Sequence, residues 1–246
     1  MNSGLYAACA GLMARMEALD TIASNVANSG STGFRGQENV FGTVLAEAQH
    51  HGRISSLNQA TNTFSQSADP QLDQQEGTLT HTGNDLDVAI QGAGFFKVQT
   101  ANGVAYTRNG RFRVDANGRL ATESGEAVLG QNGPIVPGKG PITISADGTI
   151  SSNGAVAGKI ALVTFAPGTQ ITSRGNAEYA APAANEKPAM GSTIEQGALE
   201  GSNVSPIEGV VQLIGAQRAA ESMRHALTLL DSDMDKTAAQ ELPRTN

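Results

Sequence analysis

LYAACAGLMARMEALDTIASNV, residues 5–26, carries an apolar stripe at alternating steps of four and three: Leu5, Cys9, Leu12, Met16, Leu19, Ala23 and Val26. That spacing is the a/d seam of a helix seeking a partner helix. Between the seam positions stand alanines and the charged Arg15, Glu17 and Asp20, which suit a helix and tolerate solvent. A lone helix of this length is marginal in water, so the stripe needs something to pack against.

The far end of the chain offers a match. Leu213, Ala216, Ala220, Met223, Leu227, Leu230 and Met234 repeat the three-four spacing, with Ile207, Val211 and Ile214 as a second stripe. Ser205-Pro206-Ile207-Glu208 reads as a capping box with proline at the first helical position, and Leu242-Pro243 marks the end. Patterning alone leaves two readings open: a seam between two helices, or two amphipathic helices on an ordinary core.

Composition narrows the function. The chain has 246 residues and net charge −7, with its basic residues scattered, which argues against a nucleic-acid surface. Aromatic residues make up 4% of the chain, tryptophan is absent and glycine numbers 29, which describes a turn-rich, thinly cored protein. Cys9 is the one cysteine, so no internal disulfide forms; at a seam position it is expected to be a small buried apolar residue. No stretch reads as a membrane span or a cleavable signal, so the expectation is no membrane insertion, and either residence in the cytoplasm or export by a route that reads no cleaved signal.

The first helix is expected to stop near Asn28-Ser29-Gly30, and Ser31-Thr32-Gly33-Phe34 to turn into a short segment around Val40, Phe41, Val44 and Leu45. Residues 46–80 are polar and aperiodic and read as an extended connection. From 84 to 185 short strand-like runs alternate with Asn102-Gly103, Asn109-Gly110, Asn117-Gly118, Asn132-Gly133, Asp147-Gly148 and Asn153-Gly154, a hairpin signal that predicts an antiparallel β domain. The fold class is therefore α+β: a β-rich centre flanked by terminal helices that pair as a coiled coil. The expected segments are 1–35 (helix and turn), 36–83 (connection), 84–185 (β domain), 186–204 (linker) and 205–243 (helix). The helices lie side by side only if the chain leaves the β domain near where it entered.

No catalytic residue, metal site or cofactor site is expected from the sequence. Gly92-Ala93-Gly94 is followed by a strand-like run, where a dinucleotide site needs a helix. His50, His51, His81 and His225 have no second ligand at metal spacing. Asp85 and Asp87 lie two apart beside a strand and are expected to face the same side, but nothing supplies a cleft. Counted from Asp115, a calcium loop would place Arg119 fifth and Leu120 sixth, where an oxygen ligand and a glycine belong.

Four ordered blocks then resemble one family. Ser24-Asn25-Val26-Ala27-Asn28 with Ser31-Thr32-Gly33-Phe34-Arg35 resembles the N-terminal signature of bacterial flagellar rod and hook proteins. Asp85 to Phe96 resembles their central block, and Tyr106-Thr107-Arg108-Asn109-Gly110 with Val114-Asp115 to Leu120 the hairpin after it. Leu199-Glu200-Gly201-Ser202-Asn203-Val204 and Gln217-Arg218-Ala219 resemble the C-terminal signature, from which Ala220 departs where the family often has an aromatic. The resemblance runs from residue 5 to about 235. Chain length and the Leu199–Val204 block favour the proximal-rod members over distal-rod or hook-type ones.

The resemblance implies a subunit exported unfolded through the flagellar export apparatus without signal cleavage, and polymerised in the periplasmic rod with copies of itself and other rod proteins. Terminal helices would form the inner tube and the β domain would lie outside. Leu5, Cys9, Leu12, Met16, Leu19, Val26, Leu213, Ala220, Met223, Leu227 and Leu230 would be the contacts. Asn25, Asn28, Gly33 and Phe34 would set the turn after the first helix, Asn203 and Val204 the entry to the second, and Gln217 and Arg218 belong to the signature on it. A rival reading, a β-domain module binding a carbohydrate or protein, uses the helices only to dimerise.

Overall fold

The structure is a computed structural model and describes residues 2–38, 71–166 and 168–241; within the helices, the side chains of 2–8, 10 and 230–241 fall outside the description. The segment around Val40 to Leu45, most of the expected connection 36–83, and Leu242-Pro243 lie outside the described residues. The chain is α+β, with a β-rich central region and a helix toward each end.

Two units make up the chain. One contains helix α1, Asn2–Ala27, and helix α2, Pro206–Glu241. Both boundaries follow from local chemistry. α1 ends before a turn over residues 28–30, where the Asn28 carbonyl accepts from the Ser31 amide at 3.0 Å. α2 starts on Pro206, whose fixed φ suits a first helical position. At 26 and 36 residues the helices are about 39 and 54 Å long. They approach at two points in antiparallel sense: a Cβ on Gly11 would lie 3.8 Å from Met223 Cε, and one on Gly209 would lie 2.6 Å from Val26 Cγ2.

The other unit spans Ala27–Gln37 and Gln71–Ser205. Its main sheet centres on the strand Phe95–Thr100, which pairs antiparallel with Gly103–Thr107, Ala127–Gly130 and Leu162–Phe165. Successive residues of a strand face opposite sides, so this strand feeds two cores. Phe96 and Val98 enter a cluster with Val88, Ile90, Phe112, Leu120, Val128 and Ile150. Phe95 enters another with Tyr106, Val163, Phe165, Ile171 and Tyr179. Edge-to-face ring pairs knit both, Phe96 with Phe112 at 5.1 Å and Tyr106 with Phe165 at 4.8 Å.

Five of the six Asx-Gly pairs place glycine at positive φ, as tight reversals require. The exception is Asn109-Gly110. A Cβ on Gly110 would come 1.6 Å from the Val88 carbonyl oxygen, so this glycine serves a close backbone crossing and not a hairpin. At Asn117-Gly118 the Asp115 carboxylate accepts from the amides of Asn117 and Arg119 at 2.8 Å each, which closes the hairpin. Gly92 and Gly94 join the strand Val88–Gln91 to Phe95–Thr100.

Two stretches differ from expectation. Residues 186–204, expected as a linker, carry the strands Glu186–Pro188, Thr193–Gln196 and Ala198–Glu200. Leu79–His81, within the expected connection, pairs with the last of these, and Val88–Gln91 pairs with Thr193–Gln196. These strands are short and show no clear alternation; Glu186–Pro188 pairs with Leu162–Phe165, and the other two pair with partners more than 100 residues away. Asp85 and Asp87 do not share a face either. Asp85 is exposed, while Asp87 is buried and accepts from Thr82 Oγ1 at 2.8 Å and Asn84 Nδ2 at 3.1 Å.

Candidate functional site

The segments that leave and re-enter the β unit meet in a buried knot. The Asn203 amide donates to the Phe34 carbonyl at 3.3 Å, and the Gly36 amide donates to Asn203 Oδ1 at 2.8 Å. The Asn203 Nδ2 group donates in turn toward the Asp73 carboxylate at 3.0 Å and the Gln75 carbonyl at 3.1 Å. One amide side chain thus ties three segments of chain together. The Gly33 amide donates to the Glu200 carbonyl at 2.7 Å. Exit and re-entry are side by side, which is the condition set for the two helices to run together.

Beneath these backbone ties lies an ion cluster. The Glu200 carboxylate, 1% exposed, receives Arg108 Nη1 on Oε2 at 3.0 Å and the Gly77 amide on Oε1 at 2.9 Å, with Arg35 Nη2 2.6 Å from Oε1. Arg108 also donates to the Ile90 carbonyl at 3.2 Å and the Gly92 carbonyl at 2.7 Å, and its guanidinium lies 5.7 Å from the Phe95 ring centroid. The Arg35 amide donates to Tyr179 Oη at 2.7 Å. Removal of one partner from such a buried set is far costlier than the net worth of the set itself. Burial lowers the pKa of Arg108, opposed by the charge of Glu200 and aided by that of Arg35.

Burial also pushes the Tyr179 phenol up to about 12, and that of Tyr106, which donates to Glu186 at 3.0 Å, to about 12. A phenol raised above its unfolded value of about 10 contributes stability that is whole below that pH and is lost as pH climbs toward the folded value. Alkaline titration should therefore unfold the β unit between about pH 10 and 12, with tyrosinate absorbance from Tyr106 and Tyr179 rising together with loss of the far-UV signal. Titration of both phenols near pH 10 with the fold intact would contradict the burial argument.

The expected motif residues fall here in part. Gly33 and Phe34 are buried and Asn203 half-buried in the knot; Asn28 in the turn after α1, Val204 next to Asn203 in the chain, and Asn25 on α1 are half-buried. Gln217 and Arg218 are exposed on α2. On the helices, Leu213, Ala216, Ala220, Met223 and Leu227 are half-buried, as are Leu12, Leu19 and Val26. Cys9, Met16 and Ala23, the alternate seam row of α1, are exposed. Cys9 is thus not buried as expected, because a single partner helix covers one flank of the seam. The side chains of Leu5 and Leu230 lie outside the described residues.

Arg35, Arg108 and Glu200 lie inside the blocks that resemble the family, but their roles are not legible from the sequence. The available signal was one charge in each block, beside glycine or asparagine. Tyr179 stands in no such block and carried no signal. Among the described residues no group of three or more His, Cys, Asp or Glu is placed to hold a metal, and no helix is long and apolar enough to cross a membrane.

Comparison with known proteins agrees with this geometry. Residues 5–35 match the family model "Flagella basal body rod protein", 89–157 "Flagellar hook protein FlgE/F/G D1 domain", and 195–240 "Flagellar basal body rod FlgEFG protein C-terminal". The flagellar basal-body rod protein FlgF of Mesorhizobium japonicum is 34% identical over 242 residues, covering 96% of each chain. That of Caulobacter vibrioides is 34% identical over 255 residues and all of both chains. The rod protein FlgG of Bacillus subtilis is 31% identical over 257 residues, covering 94% of this chain and 96% of its own. The chain belongs to the flagellar basal-body rod protein family and is FlgF-like, a structural protein and not an enzyme. The knot joins the parts matched by all three models, since Gly33 to Arg35, Arg108 and Glu200 each come from a different one.

Proposed function

We propose that this chain builds the proximal, periplasmic part of the flagellar rod, and that its terminal helices form a coiled-coil seam completed by neighbouring copies and by other rod proteins. In this reading it reaches the rod through the flagellar export apparatus without loss of a signal peptide. One cysteine and no disulfide suit a chain that crosses a channel unfolded. The observation that carries the reading is the apolar surface left open on both helices. Met13 and Met16 of α1 are 72% and 56% exposed, and Ile207 and Val211 of α2 are 80% and 66% exposed. Contiguous apolar helix faces of this kind mark interaction surfaces. The knot holds together the two stretches of the β unit, residues 33–36 and 200–203, that lead to the helices in sequence.

Leu12→Asp and Leu227→Asp test the reading. Each places a carboxylate in a half-buried seam position and should abolish polymerisation of the purified protein and swimming, while circular dichroism of the β unit stays unchanged. Retained swimming in both variants would overturn it. Binding of a carbohydrate or protein by the β unit alone, with swimming untouched, would favour the surface-module reading instead.

A further inference from the structure

Arg35, Arg108 and Glu200 sum to one excess positive charge at a place where their side chains are 2%, 3% and 1% exposed. A further carboxylate that acts on Arg108, Glu76, is exposed. Glu200 is already shared among both arginines and the Gly77 amide. Three guanidinium nitrogens have no hydrogen-bond acceptor among the described residues: Arg35 Nη1, Arg35 Nη2 and Arg108 Nε. The 2.6 Å approach of Arg35 Nη2 to Glu200 is thus a charge contact whose N–H direction misses the oxygen.

A cavity of about 20 Å³ lies against both arginines, lined by Ala93, Gly94, Phe95 and Phe165 and by the polar Gln74 and Thr164. That is room for a single small particle. A guanidinium does not escape burial by losing its proton, so the charge must be balanced or the fold carries the cost. A water would accept the stray N–H groups but leave the charge. An anion does both.

We infer that this cavity binds one small monovalent anion of chloride size between Arg35 and Arg108. The anion completes the charge balance of the knot and is a ligand for folding of the β unit. The site takes no oxyanion such as phosphate or sulfate, which exceeds the cavity.

The test uses the full chain as a monomer, with bromide and chloride as probes. Crystals grown in sodium bromide should show an anomalous peak in the cavity, within hydrogen-bonding reach of Arg35 Nη1. At equal ionic strength, chloride at ten times its dissociation constant should raise the folded-to-unfolded ratio about elevenfold over gluconate, which is too large to enter. Arg35→Met removes the excess charge and should lose that difference. A water or an empty cavity in place of bromide overturns the inference, as do identical unfolding curves in the two salts. Should Arg35→Met fail to fold, the bromide experiment on the unaltered chain decides alone.

Discussion

Glu200→Gln should cost about 3–5 kcal/mol and lower the melting temperature of the β unit by about 10 °C, although the substitution changes almost no volume. Glutamine keeps one acceptor but loses the charge that holds Arg35 at 2.6 Å and Arg108 at 3.0 Å. Two like charges then remain buried near each other without the carboxylate that offset them. Stability of the whole unit falls within the ordinary range of about 5–15 kcal/mol, so the loss is a large fraction of it. The second substitution Arg35→Met, added to Glu200→Gln, should recover part of the loss because it removes one of the stranded charges. Thermal unfolding followed by circular dichroism reads both. A melting temperature within 2 °C of the parent for Glu200→Gln, an interval that corresponds to roughly 1 kcal/mol or less, would show that the ion cluster does not hold the knot closed.

Gly33→Ala should be nearly as severe, for a different reason. At φ +67 an added Cβ would sit 2.3 Å from the Arg108 carbonyl carbon and 2.3 Å from the Asn109 nitrogen, both backbone atoms that have no rotamer to yield. The turn must shift, and the shift breaks the 2.7 Å bond from the Gly33 amide to the Glu200 carbonyl. Gly83→Ala is the control. Gly83 has φ +72 with nothing within 4 Å of the added atom, so it pays only left-handed strain, about 1 kcal/mol. Gly33→Ala should lose about 3 kcal/mol or more, and proteolysis within residues 28–36 should speed up accordingly. Equal melting temperatures for the two variants would remove the close packing from the account.

The contrast between the helices and the knot shows what a sequence displays. The stripes from Leu12 to Val26 and from Leu213 to Leu227 were legible because period is a local property, and the helix ends at Ala27 and Pro206 because caps are. Asn117-Gly118 and its neighbours marked hairpins for the same reason. Thr193–Gln196 and Ala198–Glu200 were hidden because their hydrogen bonds come from Val88–Gln91 and Leu79–His81, far along the chain. Arg108 and Glu200 lie 92 residues apart, and nothing in either block alone says that the two charges cancel. Tyr179 is buried edge-on against Phe95 and receives the Arg35 amide, a role that only the folded neighbourhood defines. The exposed row of Cys9, Met16 and Ala23 shows the converse. There the sequence pattern asks for more cover than one chain's own second helix provides.

Amide hydrogen exchange across residues 5–26 in the dilute monomer and in the assembled rod measures this most directly. If the helices are completed by neighbouring subunits, exchange is fast in the monomer and slows by at least about a hundredfold on assembly, while the protection of Phe96 and Val98 stays the same in both. Slow exchange across residues 5–26 in the solitary monomer, equal to that in the rod, would contradict it.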